Sequence, residues 1–240
     1  MRAAAIIFRR EMATYRQSLV GRIAGALALL LMGVAFQVFG SKTQLSGEML
    51  SQFFWGSSGV VMGLAILLSV RLLAEEQQSG SILLLNTSPV RESEIVLGKF
   101  FSAATYLAIL LAVSVYIPLL IKSEGKITGS QIFVGYLGLM LLGSATLAIG
   151  IFASTLARQQ IVAAVIGATI VVLMLLLYQF SRKLDPPMRD ILAELDLWWI
   201  HFQQGFMKGV FNLKDAVYYV AVTYFFLLCS VKTLEMKRWQ

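Results

Sequence analysis

The residues of this chain that could do chemistry are few and unevenly placed. Gly98-Lys99 comes nearest to a phosphate-cradling loop, yet a G-x-x-x-x-G-K-[ST] motif needs glycine where Ser93 stands and a hydroxyl where Phe100 stands. ATP hydrolysis by this chain alone is therefore not expected. His201 is the single histidine, which excludes a metal site built from several imidazoles, and it reads as an ordinary interfacial residue. No H-E-x-x-H helix and no G-x-S-x-G elbow occurs. Cys229 has no partner for an intrachain disulfide. These patterns offer no catalytic residue, no metal site and no cofactor site. What remains is a dense polar run, RLLAEEQQSGSILLLNTSPVRESEIVLGK, from Arg71 to Lys99. A Glu-rich helical end breaks at Ser79 and Gly80, Ile82 to Leu85 form a short apolar patch, and Ser88-Pro89 marks a second turn before a helix resumes from Ser93. A patch that short can neither span a bilayer nor form a core, so it either seats in a protein groove or folds back on its own bundle.

The elements that must position this run follow from composition. Apolar residues make up 58% of the chain and charged residues 14%, with a mean hydropathy of +0.77. A soluble domain carries about 25% charged residues, so a water-soluble fold is excluded. The net charge of +7 does not imply nucleic acid, because the basic residues are spread between apolar runs and form no stripe. Uncharged windows long enough to cross a membrane as helices run from Ile23 to Gly40, Phe53 to Val70, Phe101 to Ile121, Ile132 to Ala157, Ile161 to Ser181 and Ala216 to Val231. Gradient-driven carriers usually place ionisable groups inside such windows, and their absence disfavours that class. Twelve of the 20 Lys and Arg residues fall on the side that holds both termini, against eight on the other. By the positive-inside rule both termini are cytoplasmic.

Outside the windows, Phe8, Met12, Tyr15 and Leu19 recur at helical spacing, with Arg9 and Arg16 on another face and Arg10 and Glu11 between them. This amphipathic helix serves as a membrane-surface anchor, or also touches a cytoplasmic partner. After Pro186-Pro187, the residues Met188, Ile191, Leu192, Leu195, Trp198 and Phe202 follow helical spacing, and Trp198 and Trp199 suit an interface. The segment reads as an outer-leaflet or re-entrant helix. Within the fourth window Gly143, Thr146, Gly150, Ala153 and Ala157 form a small-residue stripe for close helix approach, within one subunit or between two.

The stretch from Glu75 to Lys99 resembles the signature of type 2 ATP-binding-cassette transporter permeases, in which a Glu-rich end, a Gly-Ser step, a Leu-rich turn, Ser/Thr-Pro and Leu-Gly-Lys recur in order. Glu75, Glu76, Gly80, Ser81, Leu84, Leu85, Ser88, Pro89, Gly98 and Lys99 carry it here. RREMATYRQS near the N-terminus and HFQQGFMKGVFNLKDAVYYVAVTYFFLLCSVKTLEMKRW near the other end agree with the branch that includes the gliding-motility and nitrous-oxide-reductase-maturation permeases. The resemblance implies an all-α polytopic membrane protein with a single permease domain over 1–240. It would have six transmembrane helices, an elbow helix in 1–22, a cytoplasmic coupling helix within 71–100 and outer-side helices in 182–215 before span six. It implies a prokaryotic cytoplasmic membrane location. The implied partners are a separate ABC ATPase subunit that binds ATP and Mg, a second copy or a related permease, the bilayer and, as an option, an additional extracytoplasmic subunit. The implied function is the permease of an ATP-driven exporter. The alternative is a membrane scaffold or force-transmitting base of a motility or maturation complex that uses the same ATPase docking. The substrate does not follow from the fold.

Overall fold

The computed structural model describes residues 2–40, 46–78, 90–124 and 127–238. Helix α1 (Arg2–Gln17) leads into α2 (Leu19–Ala35), which continues as a π-helical turn, Phe36–Gly40. Then come α3 (Ser46–Gln78), α4 (Glu92–Ser114), α5 (Tyr116–Glu124), α6 (Gly129–Leu156), α7 (Gln160–Ser181), the short α8 (Met188–Glu194) and α9 (Leu213–Arg238). Among the described residues there is no strand, and six helical stretches are long and apolar enough to cross a membrane. The chain is an all-α polytopic membrane protein.

Local chemistry sets the breaks. Ser18 caps α2 by accepting the Gly21 N–H at 3.0 Å, so the amphipathic helix stops at Gln17. Leu19, expected on the apolar face of that helix, begins the first span instead. The third span is interrupted at Val115, because a proline ring at position 118 clashes with the carbonyl four residues earlier and ends the helix at Ser114. Thr128 starts α6 with a reciprocal capping box, Gln131 Oε1 accepting the Thr128 N–H at 3.3 Å.

Helices α3 and α6 form the centre: 61% of the apolar window of each is buried, against 17% in α7. The stripe on α6 explains how they approach. A Cβ on Gly143 would lie 2.9 Å from the Val61 side chain, and one on Gly150 would collide with Ser69. Thr146 and Ala153 are fully buried beside them. The stripe thus packs within one chain, the alternative left open by its spacing. Ser154, one turn further, donates to the Val70 carbonyl and accepts the N–H groups of Leu73 and Ala74 at 3.0 and 2.9 Å, stitching α6 to the backbone of α3.

The two ends of the bundle differ. At one end lie α1, the last turns of α3, α6 and α9, and the start of α4. Lys237 of α9 there donates to Thr155 O at 2.6 Å, and Arg10 of α1 reaches Glu76 of α3 at 3.0 Å. Helix α1 and the last turns of α9 therefore share an end of the bundle. At the other end α8 and the turns at Trp199–Gln203 and Phe206–Lys208 cover the starts of α3 and α9. The single helix expected from Met188 to Phe202 is not formed. It stops at Glu194, because Asp196 takes the N–H groups of Trp198 and Ile200 at 2.9 and 3.1 Å and turns the backbone. Met188, Ile191 and Leu195 stay exposed while Trp198 and Phe202 are buried.

A candidate coupling site at the crossing of α1, α3 and α4

The site begins with Lys99. It lies on α4 two turns in from the helix start and is 2% exposed. A buried ammonium must be paired and hydrogen-bonded. Here its Nζ lies 3.0 Å from Glu11 Oε1 of α1 and 2.9 Å from Glu76 Oε1 of α3, and it donates to the Leu72 carbonyl of α3 at 2.6 Å. An ammonium has three protons to donate, and these three acceptors come from two other helices. Arg10 adds a second cation, 3.0 Å from Glu76 and 3.7 Å from Glu11, so two cations face two carboxylates.

Gly98, the neighbour of Lys99, makes this crossing possible. A Cβ there would sit 2.9 Å from the Ala4 carbonyl oxygen and 3.1 Å from the Ile7 side chain, so α1 lies directly against the backbone of α4. Glycine at this position serves a close approach. Tyr15 closes the same contact: its hydroxyl donates to Leu68 O of α3 at 3.3 Å and its ring stacks on Tyr106 of α4 at 5.1 Å. Burial pushes the Tyr15 phenol well above its ordinary value, so it remains a neutral donor. Tyr106 in turn donates to Gly21 O at 2.8 Å. A small polar cavity of about 210 Å³ opens beside the cluster, walled by Arg10, Glu11, Thr14, Arg71, Glu75 and Lys99 among others.

Of the residues singled out in the run from Glu75 to Lys99, four lie in the described residues: Glu75, Glu76, Gly98 and Lys99. Glu76, Gly98 and Lys99 meet in this cluster, while Glu75 pairs with Arg71 one turn back at 3.3 Å and lines the adjoining cavity. Gly80, Ser81, Leu84, Leu85, Ser88 and Pro89 lie outside the described residues. Of the α1 residues, Arg10 and Glu11 join the cluster, whereas Arg9 and Arg16 are exposed. Spacing did not reveal that Glu11 and Lys99 meet, since 88 residues separate them. The available signal was a lysine within helical reach of the third window and a glutamate on an otherwise basic helix.

The opposite end holds a second polar group that sequence reading passed over. His201 is 1% exposed: its Nδ1 lies 2.8 Å from Asp215 Oδ1 of α9, its Nε2 3.1 Å from the Glu194 carbonyl, and its ring stacks on Tyr218 at 3.8 Å. Tyr219 donates to Leu197 O at 2.8 Å. The fold buries this end because α9 packs under the turns. Among the described residues no group of three or more His, Cys, Asp or Glu side chains could hold a metal ion.

Comparison with known proteins gives a match over residues 5–185 to a family described as ABC-2 family transporter protein. No curated protein matches the chain.

Proposed function

Because the chain belongs to the ABC-2 transporter family and is its membrane-spanning permease, we propose that it couples a separate ATPase to helix movement in an exporter through the segment between α3 and α4. The observation that carries this reading is Lys99, clamped by Glu11 and Glu76 at 3.0 and 2.9 Å. The end of α3 and the start of α4 are the two roots of the segment 79–89. An ion pair between the roots, with α1 as third member, makes them one body. Any push on the segment is then delivered to spans two and three and to α1 together. Leu84 and Leu85, which lie outside the described residues, are the apolar side chains this reading assigns to an ATPase cleft. ATP and Mg belong in the partner subunit. Positive-inside charge supports a cytoplasmic face for this end, and so for both termini, in a prokaryotic inner membrane. The N-terminal and C-terminal stretches quoted above support membership of the branch resembling gliding-motility and nitrous-oxide-reductase-maturation permeases, with a second permease copy or a related permease completing the membrane unit.

The test is Leu84→Asp, which puts an unpaired charge into a desolvated contact. Co-purification of the ATPase and its stimulation by the permease should fall together, while a matched change at Lys126, one of the eight basic residues assigned to the side opposite both termini, leaves both intact. Normal binding and stimulation by Leu84→Asp would refute the assignment. Vectorial flux in vesicles containing the assembled transporter separates export from pure force transmission.

A further inference from the structure

Between α3 and α7, towards the α8 end, lies an apolar cavity of about 390 Å³. Trp55, Ser58, Gly59 and Met62 of α3 form one wall, Leu175, Leu176 and Gln179 of α7 the other, and Trp198 and Trp199 lie across it. Each tryptophan is tied to a different wall. Trp198 Nε1 donates to Ser58 Oγ at 2.9 Å and its ring meets Trp55 edge-on at 6.5 Å, both on α3. Trp199 stacks on Tyr178 of α7 at 5.8 Å. The two indoles meet edge to face at 5.0 Å, so together they strap one wall to the other.

The strap is shaped by Asp196. Its carboxyl is fully buried, and Oδ2 accepts the N–H groups of Trp198 and Ile200 at 2.9 and 3.1 Å. Oδ1 has no hydrogen-bond partner among the described residues. We propose that Asp196 is the positioning residue of this tryptophan roof, and that loss of its proton loosens the roof over the cavity between α3 and α7. An ionised carboxylate leaves Oδ1 charged, buried and unsatisfied, which favours conformations that admit water to it. The neutral acid keeps Oδ2 as acceptor for both amides at no such cost. Burial pushes the Asp196 carboxyl up to about 6, against the pull of the Ile200, Trp198 and Trp199 amides and of His201. The charged and titratable groups around it are His201 in the next turn, Glu194 at the end of α8, and Asp215, Tyr218 and Tyr219 on α9. Glu194 is itself paired with Lys214 at 2.6 Å. From α3 the uncharged Ser58 and Trp55 reach this turn. The closed roof holds the proton more tightly than an open, hydrated one, so closure is favoured at low pH and weakens as pH rises through about 6.

Amide hydrogen exchange of residues 196–203 in the full-length protein reads the roof directly, together with acrylamide quenching of Trp55, Trp198 and Trp199 in a Trp239→Phe background. A folded value near 6 against an ordinary 3.8 predicts that protection, corrected for intrinsic exchange, falls about tenfold between about pH 5 and pH 8. Asp196→Asn should show no step between about pH 5 and pH 8, because the amide oxygen still accepts both N–H groups and carries no proton to lose. Ser58→Ala should lower protection at every pH but keep the step, since it unties Trp198 without touching the titrating group. No step in the wild type, or a step that persists in Asp196→Asn, overturns the proposal. If Asp196→Asn does not fold, a Ser58→Ala protein without the tenfold step overturns it equally.

Discussion

The two ends of the bundle satisfy buried ionisable side chains by opposite means. At the α1 end the cation Lys99 is shared between Glu11, 88 residues distant, and the Leu72 carbonyl, 27 residues distant, with Glu76 on the same helix as Leu72. At the α8 end the carboxylate of Asp196 is shared between amides two and four residues away. The first arrangement ties separate helices together, and the second shapes one turn. Removing the shared group should therefore have long-range consequences at one end and local ones at the other. Removing a buried cation shared by two carboxylates takes away charge that both depend on, whereas a turn that loses its acceptor can rehydrate in place.

The largest expected effect is that of Lys99→Met. It removes the buried ammonium that Glu11 and Glu76 share, and the cost of breaking such a buried pair is about 3–5 kcal/mol. Thermal unfolding in detergent should show it. A triple variant with Glu11→Gln and Glu76→Gln added should recover most of the loss, since no uncompensated charge remains. Failure of that recovery would mean that Lys99 acts through packing and not charge. Next comes Gly98→Leu, which forces α1 off α4 by overpacking at a cost of about 1–3 kcal/mol. Protease cleavage within 2–17 should rise sharply while the six spans stay protected. At the other end Asp215→Asn weakens the buried contact to His201 by about 1 kcal/mol. Faster exchange at 199–203 with an almost unchanged unfolding temperature is the expected signature. A large drop in that temperature would erase the distinction between the ends. The smallest effect belongs to Arg71→Ala. It removes a solvent-accessible i,i+4 pair with Glu75 worth about 0.5 kcal/mol or less, so unfolding should be indistinguishable from wild type.

Helix existence and number were legible in the chain itself, because a bilayer-spanning helix needs only a run of about 20 apolar residues. The breaks were partly so. Pro186-Pro187 marked the end of the fifth span, but the stops at Ser18 and Glu194 depend on side chains that accept backbone N–H groups, Ser18 Oγ for Gly21 and Asp196 Oδ2 for Trp198 and Ile200. Hydrophobic period alone carried Leu19 into the first helix and Trp198 and Phe202 into α8. The small-residue stripe from Gly143 to Ala153 announced a close helix contact without naming the partner. Spacing defines a face, and only the packed bundle decides that this face meets Val61 and Ser69 of the same chain.

Composition and pattern by themselves determined that this protein lives in a membrane, crosses it as helices, contains no G-x-x-x-x-G-K-[ST] string and carries a distinctive polar run between its second and third spans. These properties are sums over local residues, so no contact map is needed to read them. Tertiary structure alone decided that Lys99 would be the shared counter-ion of Glu11 and Glu76, that His201 would be buried against Asp215, and that two tryptophans would strap α3 to α7. A charge pair acts over a few ångströms in space, and only the packing of helices far apart in the chain brings its members within that reach.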